Sequence, residues 1–143
     1  MKFLERDIVA LNVEVSTPEE AIQKAGHLLS DKGYVTQSYI DAMIRSFQKN
    51  GPYFVIAPNI AIPHARPEDG VKEASVSLIQ LKEPVSFGST GNDPVKLVFA
   101  LGASNSDEHL NVLKMLMKVL GNAENTEKLK SAKNYEEIKS LLN

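Results

Sequence analysis

The side chains best suited to chemistry in this 143-residue chain are three histidines, His27, His64 and His109. There is no cysteine, which excludes thiol catalysis within the chain, disulfides and Cys-based zinc sites. Gly-x-Ser-x-Gly, Walker and Gly-x-Gly-x-x-Gly segments are missing too, so the common nucleophile and nucleotide motifs give no lead. The histidines share no His-x-x-x-His spacing, and support for a zinc site is weak. What remains is imidazole chemistry. With an ordinary pKa of about 6.5, imidazole is a neutral nucleophile near pH 7 that can accept a group covalently and release it again.

His64 has the most constrained setting of the three. It follows Pro63 at the end of the apolar piece 60–62 and precedes the polar turn 67–70. Proline fixes its own φ and pushes Ile62 toward extended geometry, so the backbone presenting His64 is stiff. In α/β proteins, strand ends and loops commonly carry the reactive groups. From the residues alone, a reactive His64 and a loop-filling one stand level. His27 aligns with Glu20, Lys24 and Asp31 on a helix and reads as a solvated surface residue.

The elements that must position His64 can be read from periodicity. Residues 8–15 alternate as a strand through Leu11, Val13 and Val15. Thr17, Pro18 and Glu20 start a helix as cap, first-turn proline and capping-box partner, with Ala21, Ile22, Ala25, Leu28 and Leu29 on its apolar stripe. A second helix runs from Thr36 to the stop at Asn50-Gly51-Pro52, burying Ile40, Met43, Ile44 and Phe47. Strands are predicted over 53–57, 74–81 and 95–101. After a polar joint at 104–107, Leu110, Leu113, Met117 and Leu120 predict an amphipathic helix, followed by short helices over 124–131 and 135–142. Mixed helices and strands with no repeat or linker point to an α/β fold, a single-domain sandwich over 1–143 with a mixed β-sheet flanked by helices on both faces.

Composition agrees with that reading. Hydrophobic residues make up 43% and charged residues 24%, enough apolar material for a sizeable core. The net charge of −2 is interspersed, with no basic run of the kind that binds nucleic acid. No apolar stretch approaches the roughly 20 residues of a membrane span, and acids at positions 5 and 7 do not fit a signal peptide. The expectation is a soluble cytoplasmic protein.

The segment 51–71 carries a resemblance. Gly51-Pro52-Tyr53, Ala57-Pro58, Ile62-Pro63-His64-Ala65, Arg66-Pro67-Glu68 and Gly70-Val71 resemble the phosphorylation segment of enzyme IIA components of the bacterial phosphotransferase system. The mannitol/fructose-type family is marked by Ile-Pro-His-Ala or Ile-Pro-His-Gly; the flanking residues here are closest to its L-ascorbate branch. Asn92-Asp93-Pro94-Val95 and, further on, His109 early in a helix extend the likeness over essentially the whole chain.

The resemblance implies a phosphotransferase with a phosphohistidine intermediate and no cofactor. It implies that His64 accepts phosphate from phospho-HPr, through Nε2, and donates it to a cysteine of enzyme IIB, which serves the membrane permease in sugar uptake. The family's second histidine corresponds to His109 and its helix arginine to Arg45, both as stabilisers of the phosphoryl group. An i, i+4 pair of Arg45 with Asp41 is the alternative for the arginine. Arg66 either tunes the pocket or faces solvent. A regulatory module that senses phosphorylation state is the alternative function.

Overall fold

Successive side chains of one central strand enter different cores. In the computed structural model, which describes residues 1–142, Ile79 and Leu81 of β5 (Leu78–Val85) pack with one set of helices. Leu78 packs with the other set, and the Gln80 side chain reaches the same way. Period-2 alternation with both faces apolar forces this arrangement, because each face needs its own cover.

The remaining strands are β1 (Lys2–Phe3), β2 (Val9–Val13), β3 (Ile60–Ala61), β4 (Ser75–Val76), β6 (Val95–Val98) and β7 (Leu101–Gly102). They form two mixed sheets, of order β1-β4-β7 and β2-β5-β6-β3. The helices are α1 (Pro18–Ser30), α2 (Gln37–Asn50), α3 (Ser106–Leu120), α4 (Ala123–Ser131) and α5 (Tyr135–Lys139). Helices α1 and α2 cover one face through Ile22, Leu29, Tyr39, Ile40 and Met43. Helices α3, α4 and α5 cover the other through Val112, Leu116, Leu129 and Ile138. The expected sandwich with helices on both faces is therefore present, with the β-layer divided into two sheets.

Helix starts follow the expected chemistry. The Thr17 hydroxyl accepts from the Glu20 N–H at 3.1 Å, and the Glu20 carboxylate accepts from the Ser16 N–H at 2.7 Å. Helix α3 repeats the device, with Asn105 accepting from the Glu108 N–H and Glu108 accepting from the Ser104 N–H.

Five expectations need correction. The runs 74–81 and 95–101 are each broken, at Ser77 and at Phe99–Ala100, where the Ser77 N–H donates to the Ala100 carbonyl at 3.0 Å. Residues 53–54 form a turn and Ala57 makes only an isolated bridge to Ile60, in place of the expected strand. The Val55 N–H closes on the Pro52 carbonyl, and the Phe54 ring is drawn into an aromatic cluster with Phe47 and Phe87. Helix α3 buries Val112, Leu116 and Val119, with Leu113 and Leu120 partly buried against the same core, and leaves Leu110 and Met117 52% and 45% exposed. Helix α5 ends at Lys139, short of 142.

Candidate functional site

The approach to His64 is a strand that outlasts its formal end. Register pairs Ile60 with Leu97 and Ala61 with Val98 in parallel. Beyond β3 the Phe99 N–H still donates to the Ala61 carbonyl at 2.9 Å, and the Leu101 N–H donates to the Pro63 carbonyl at 3.1 Å. The Ile62 N–H turns the other way and donates to the Phe54 carbonyl at 2.9 Å. Pro63 has no N–H to offer, so its imino nitrogen leaves no buried donor unsatisfied. One residue past His64, the Ala65 N–H donates to the hydroxyl of Tyr39 on α2 at 3.0 Å.

The half-buried imidazole of His64 is held in turn. Its Nδ1 lies 2.9 Å from the Ile62 carbonyl oxygen. A carbonyl can only accept, so Nδ1 carries the proton and Nε2 keeps its lone pair. The exposed ring of Tyr53 stands edge-on to His64 at 6.0 Å between centroids, steadied by a 2.9 Å hydrogen bond between its hydroxyl and Ser46 of α2.

His109 also stands next to His64. It lies in the first turn of α3, and the two imidazole centroids are 5.4 Å apart with planes inclined at 57°. Burial pushes the His109 pKa down, and the neighbouring His64 adds to the effect. Glu108, next to it, turns its carboxylate back onto the Ser104 N–H, so that charge is engaged in capping.

Beside His64 lies an open cleft of about 580 Å³, lined by Arg45, Lys49 and Arg66 with Tyr53, and by Asp69 as its one acid. Asp41, the residue one turn before Arg45, accepts from the Gln37 side-chain amide. Among the described residues no ion pair of Arg45 with Asp41 forms. Arg66 sits 3.7 Å from the Glu68 carboxylate and is strongly exposed. A second hollow of about 240 Å³ is lined by Arg66 and His109 and shares Ala65 and Arg66 with the cleft. His27 stays apart, bonded to Gln37 on the outer side of α1. His64, His109 and the Arg45 cleft thus converge, although they come from a strand end and two different helices.

The model of the family described as "Phosphoenolpyruvate-dependent sugar phosphotransferase system, EIIA 2" matches residues 2–143. The chain belongs to that EIIA family. An ascorbate-specific PTS system EIIA component of Escherichia coli K12 is 33% identical over 139 residues, covering 96% of this chain and 90% of the relative. The solution structure of the mannitol-specific cryptic phosphotransferase enzyme IIA CmtB from Escherichia coli superposes with a TM-score of 0.86 at 33% identity, over 98% and 94% of the two chains. Enzyme IIA of mannitol from Escherichia coli, solved in complex with phosphorylated enzyme IIB, gives 0.86 at 31% identity over 98% and 97%. An EIIA chain has a phosphoryl-transfer role in sugar uptake. Among the described residues, no helix is long and apolar enough to cross a membrane.

Sequence reasoning missed Tyr39 and Tyr53 as neighbours of the site. Tyr39 was within reach: it lies four residues before Met43, on the same helix face. Tyr53 was expected in a strand, and only the turn that replaces the strand brings it to His64.

Proposed function

We propose that this EIIA chain carries a phosphoryl group on Nε2 of His64, accepting it from phospho-HPr and donating it to a cysteine of an ascorbate-type enzyme IIB. The observation that carries the reading is the Nδ1–H of His64 held on the Ile62 carbonyl at 2.9 Å, which leaves Nε2 as the nucleophile. In the loading step the Nε2 lone pair forms a new N–P bond as the N–P bond to the donor's imidazole breaks, and that imidazole recovers its lone pair. Nδ1 keeps its proton throughout. In the unloading step a thiolate forms an S–P bond while the Nε2–P bond breaks, and the electron pair returns to Nε2.

The in-flight phosphoryl group spreads negative charge over its equatorial oxygens, so fixed donors lower its barrier. Neutral His109 supplies an N–H from one side, and the Arg45 guanidinium supplies a planar fork from the cleft. Leu110, exposed next to His109, and exposed Tyr53 give a docking protein apolar contact around a charged centre. Ascorbate is favoured as the transported sugar by the likeness to ascorbate-specific EIIA components.

The test is incubation of the pure protein with phosphoenolpyruvate, enzyme I and HPr, followed by mass measurement. One acid-labile, base-stable phosphate is expected, lost in His64→Ala. Undiminished labelling of His64→Ala would sink the reading.

A further inference from the structure

The parallel ladder that carries the chain to His64 has a predictable next rung. In such a ladder each residue of one strand accepts from and donates to two residues of the other, stepping by two along both. Ala61 bonds the Phe99 N–H and Pro63 bonds the Leu101 N–H, so the Ala65 N–H should donate directly to the Leu101 carbonyl. It does not. The Ala65 N–H donates to the Tyr39 hydroxyl at 3.0 Å, and that hydroxyl donates to the Leu101 carbonyl at 2.6 Å.

A phenol has one proton to give and lone pairs to receive, so the hydroxyl fits this place in both senses. Its other acceptor among the described residues, the Ala65 carbonyl, lies at 3.3 Å and is the poorer choice for the same proton. Tyr39 is fully buried. Burial pushes its pKa up to about 12, which keeps the phenol protonated and able to bridge at any physiological pH.

From this we infer that Tyr39 is a positioning residue for the His64 centre: its hydroxyl, spliced between β7 and the His64–Ala65 peptide, sets how far His64 stands off the sheet. The inference rests on His64 being the phosphoryl-bearing residue. The splice lengthens one rung by a single oxygen atom. It peels the chain away where the imidazole must leave the sheet, while Pro63 is still bonded to it. The ring is then held by the Ile62 carbonyl before it, and the backbone just after it by the Tyr39 bridge. Tyr39 also ties that peptide to α2, the helix that lines the cleft with Arg45 and Lys49. Without the hydroxyl, the Ala65 N–H either closes onto Leu101 and draws His64 inward, or is left unpaired in the interior. Both outcomes displace the imidazole.

The experiment compares Tyr39→Phe with wild type in transfer from loaded protein to enzyme IIB. Ile138→Ala, on the opposite face, serves as the control for lost stability. At saturating acceptor, Tyr39→Phe should slow transfer about 10- to 100-fold, the scale of a misplaced reacting group, while the control transfers normally. Nitrogen NMR of the His64 ring should show the Nδ1–H tautomer in wild type and a rise of the Nε2–H form in Tyr39→Phe. Equal rates and unchanged tautomers would overturn the role. If Tyr39→Phe does not fold, hydrogen exchange in wild type still decides: the Ala65 amide should be protected well beyond that of Glu68, and rapid exchange refutes the bridge. If wild type takes no phosphate on His64, the functional reading fails, whereas exchange and tautomer still judge the bridge.

Discussion

The imidazoles of His64 and His109 stand 5.4 Å apart between centroids, yet they are held by unlike supports. His64 hangs from an extended strand end by its own Nδ1–H. His109 rides in the first turn of a helix, and its backbone N–H donates to the Asn105 carbonyl.

That closeness has a titration signature. The His109 pKa should fall below the ordinary value of about 6.5, chiefly through burial and secondly through His64. In proton NMR, His64→Ala should raise it part of the way back. Because the folded pKa is depressed, the unfolded chain binds the proton more readily. Stability from His109 is therefore intact above about pH 6.5 and is lost as pH falls through that value toward the folded pKa. A Tm series from pH 7.5 to 5 should show a steeper decline for wild type than for His109→Gln; parallel curves would contradict the shift.

A neutral imidazole is useful here as a donor. Removing one such donor typically costs on the order of 10²–10³ in rate. His109→Ala should still take phosphate from HPr but pass it to enzyme IIB that much more slowly, and His109→Gln should recover part of the loss. Single-turnover transfer in each direction measures both. Onward transfer at the wild-type rate by His109→Ala would leave the residue a structural one.

Arg45 lines the cleft beside His64, and Asp41 is engaged by Gln37. Arg45→Lys should keep the fold and slow transfer, since a point charge replaces a planar fork. Unaltered rates in both directions would return Arg45 to the solvated surface.

The acceptor can be identified by competition. Purified enzyme IIB proteins of ascorbate, mannitol and fructose type, offered to the loaded chain, should receive phosphate fastest in the ascorbate case. A faster mannitol or fructose acceptor would reject the branch and leave the imidazole chemistry standing.

Gln80 gives a prediction about stability alone. Buried on β5, its amide donates to the Leu129 and Ala132 carbonyls at 2.9 Å each and accepts from the Asn12 N–H at 3.1 Å. Gln80→Leu should cost on the order of 1–3 kcal/mol for each group left unpaired, read as a lower urea midpoint. An unchanged midpoint would mean that water takes over all three bonds.

Local chemistry wrote most of the fold plainly into the chain. Thr17, Glu20 and Pro18 announce α1, and the stiff Ile62-Pro63 pair announces the end that presents His64. Harder to read were choices made by tertiary contact. On α3, Leu110-Leu113-Met117 and Val112-Leu116-Val119 are both apolar stripes at helical spacing, and periodicity cannot say which one faces the sheet. Along β2, Leu11 and Val13 should share a face, but Asn12 adopts φ +57° and turns them into opposite cores. The Gln80 bond that satisfies Asn12 comes from 68 residues away. The site divides the same way: His64 stood out locally and His109 and Arg45 through family likeness, whereas Tyr39 depends on a rung visible only once β6 and β3 are side by side.

Under the proposed function, a carrier built on this strand end has little freedom to change shape when it is loaded. From Ala61 to Ala65 the backbone is fastened at nearly every step, and the ring is fastened as well. Phosphate would instead be announced electrically. With the Nδ1 proton kept, it adds a net charge of about −1, half as much again for a chain whose formal charge is −2, and concentrates that change at one rim. Partners that must tell the loaded protein from the empty one would then discriminate by field and by desolvation, so their preference should fade as ionic strength rises.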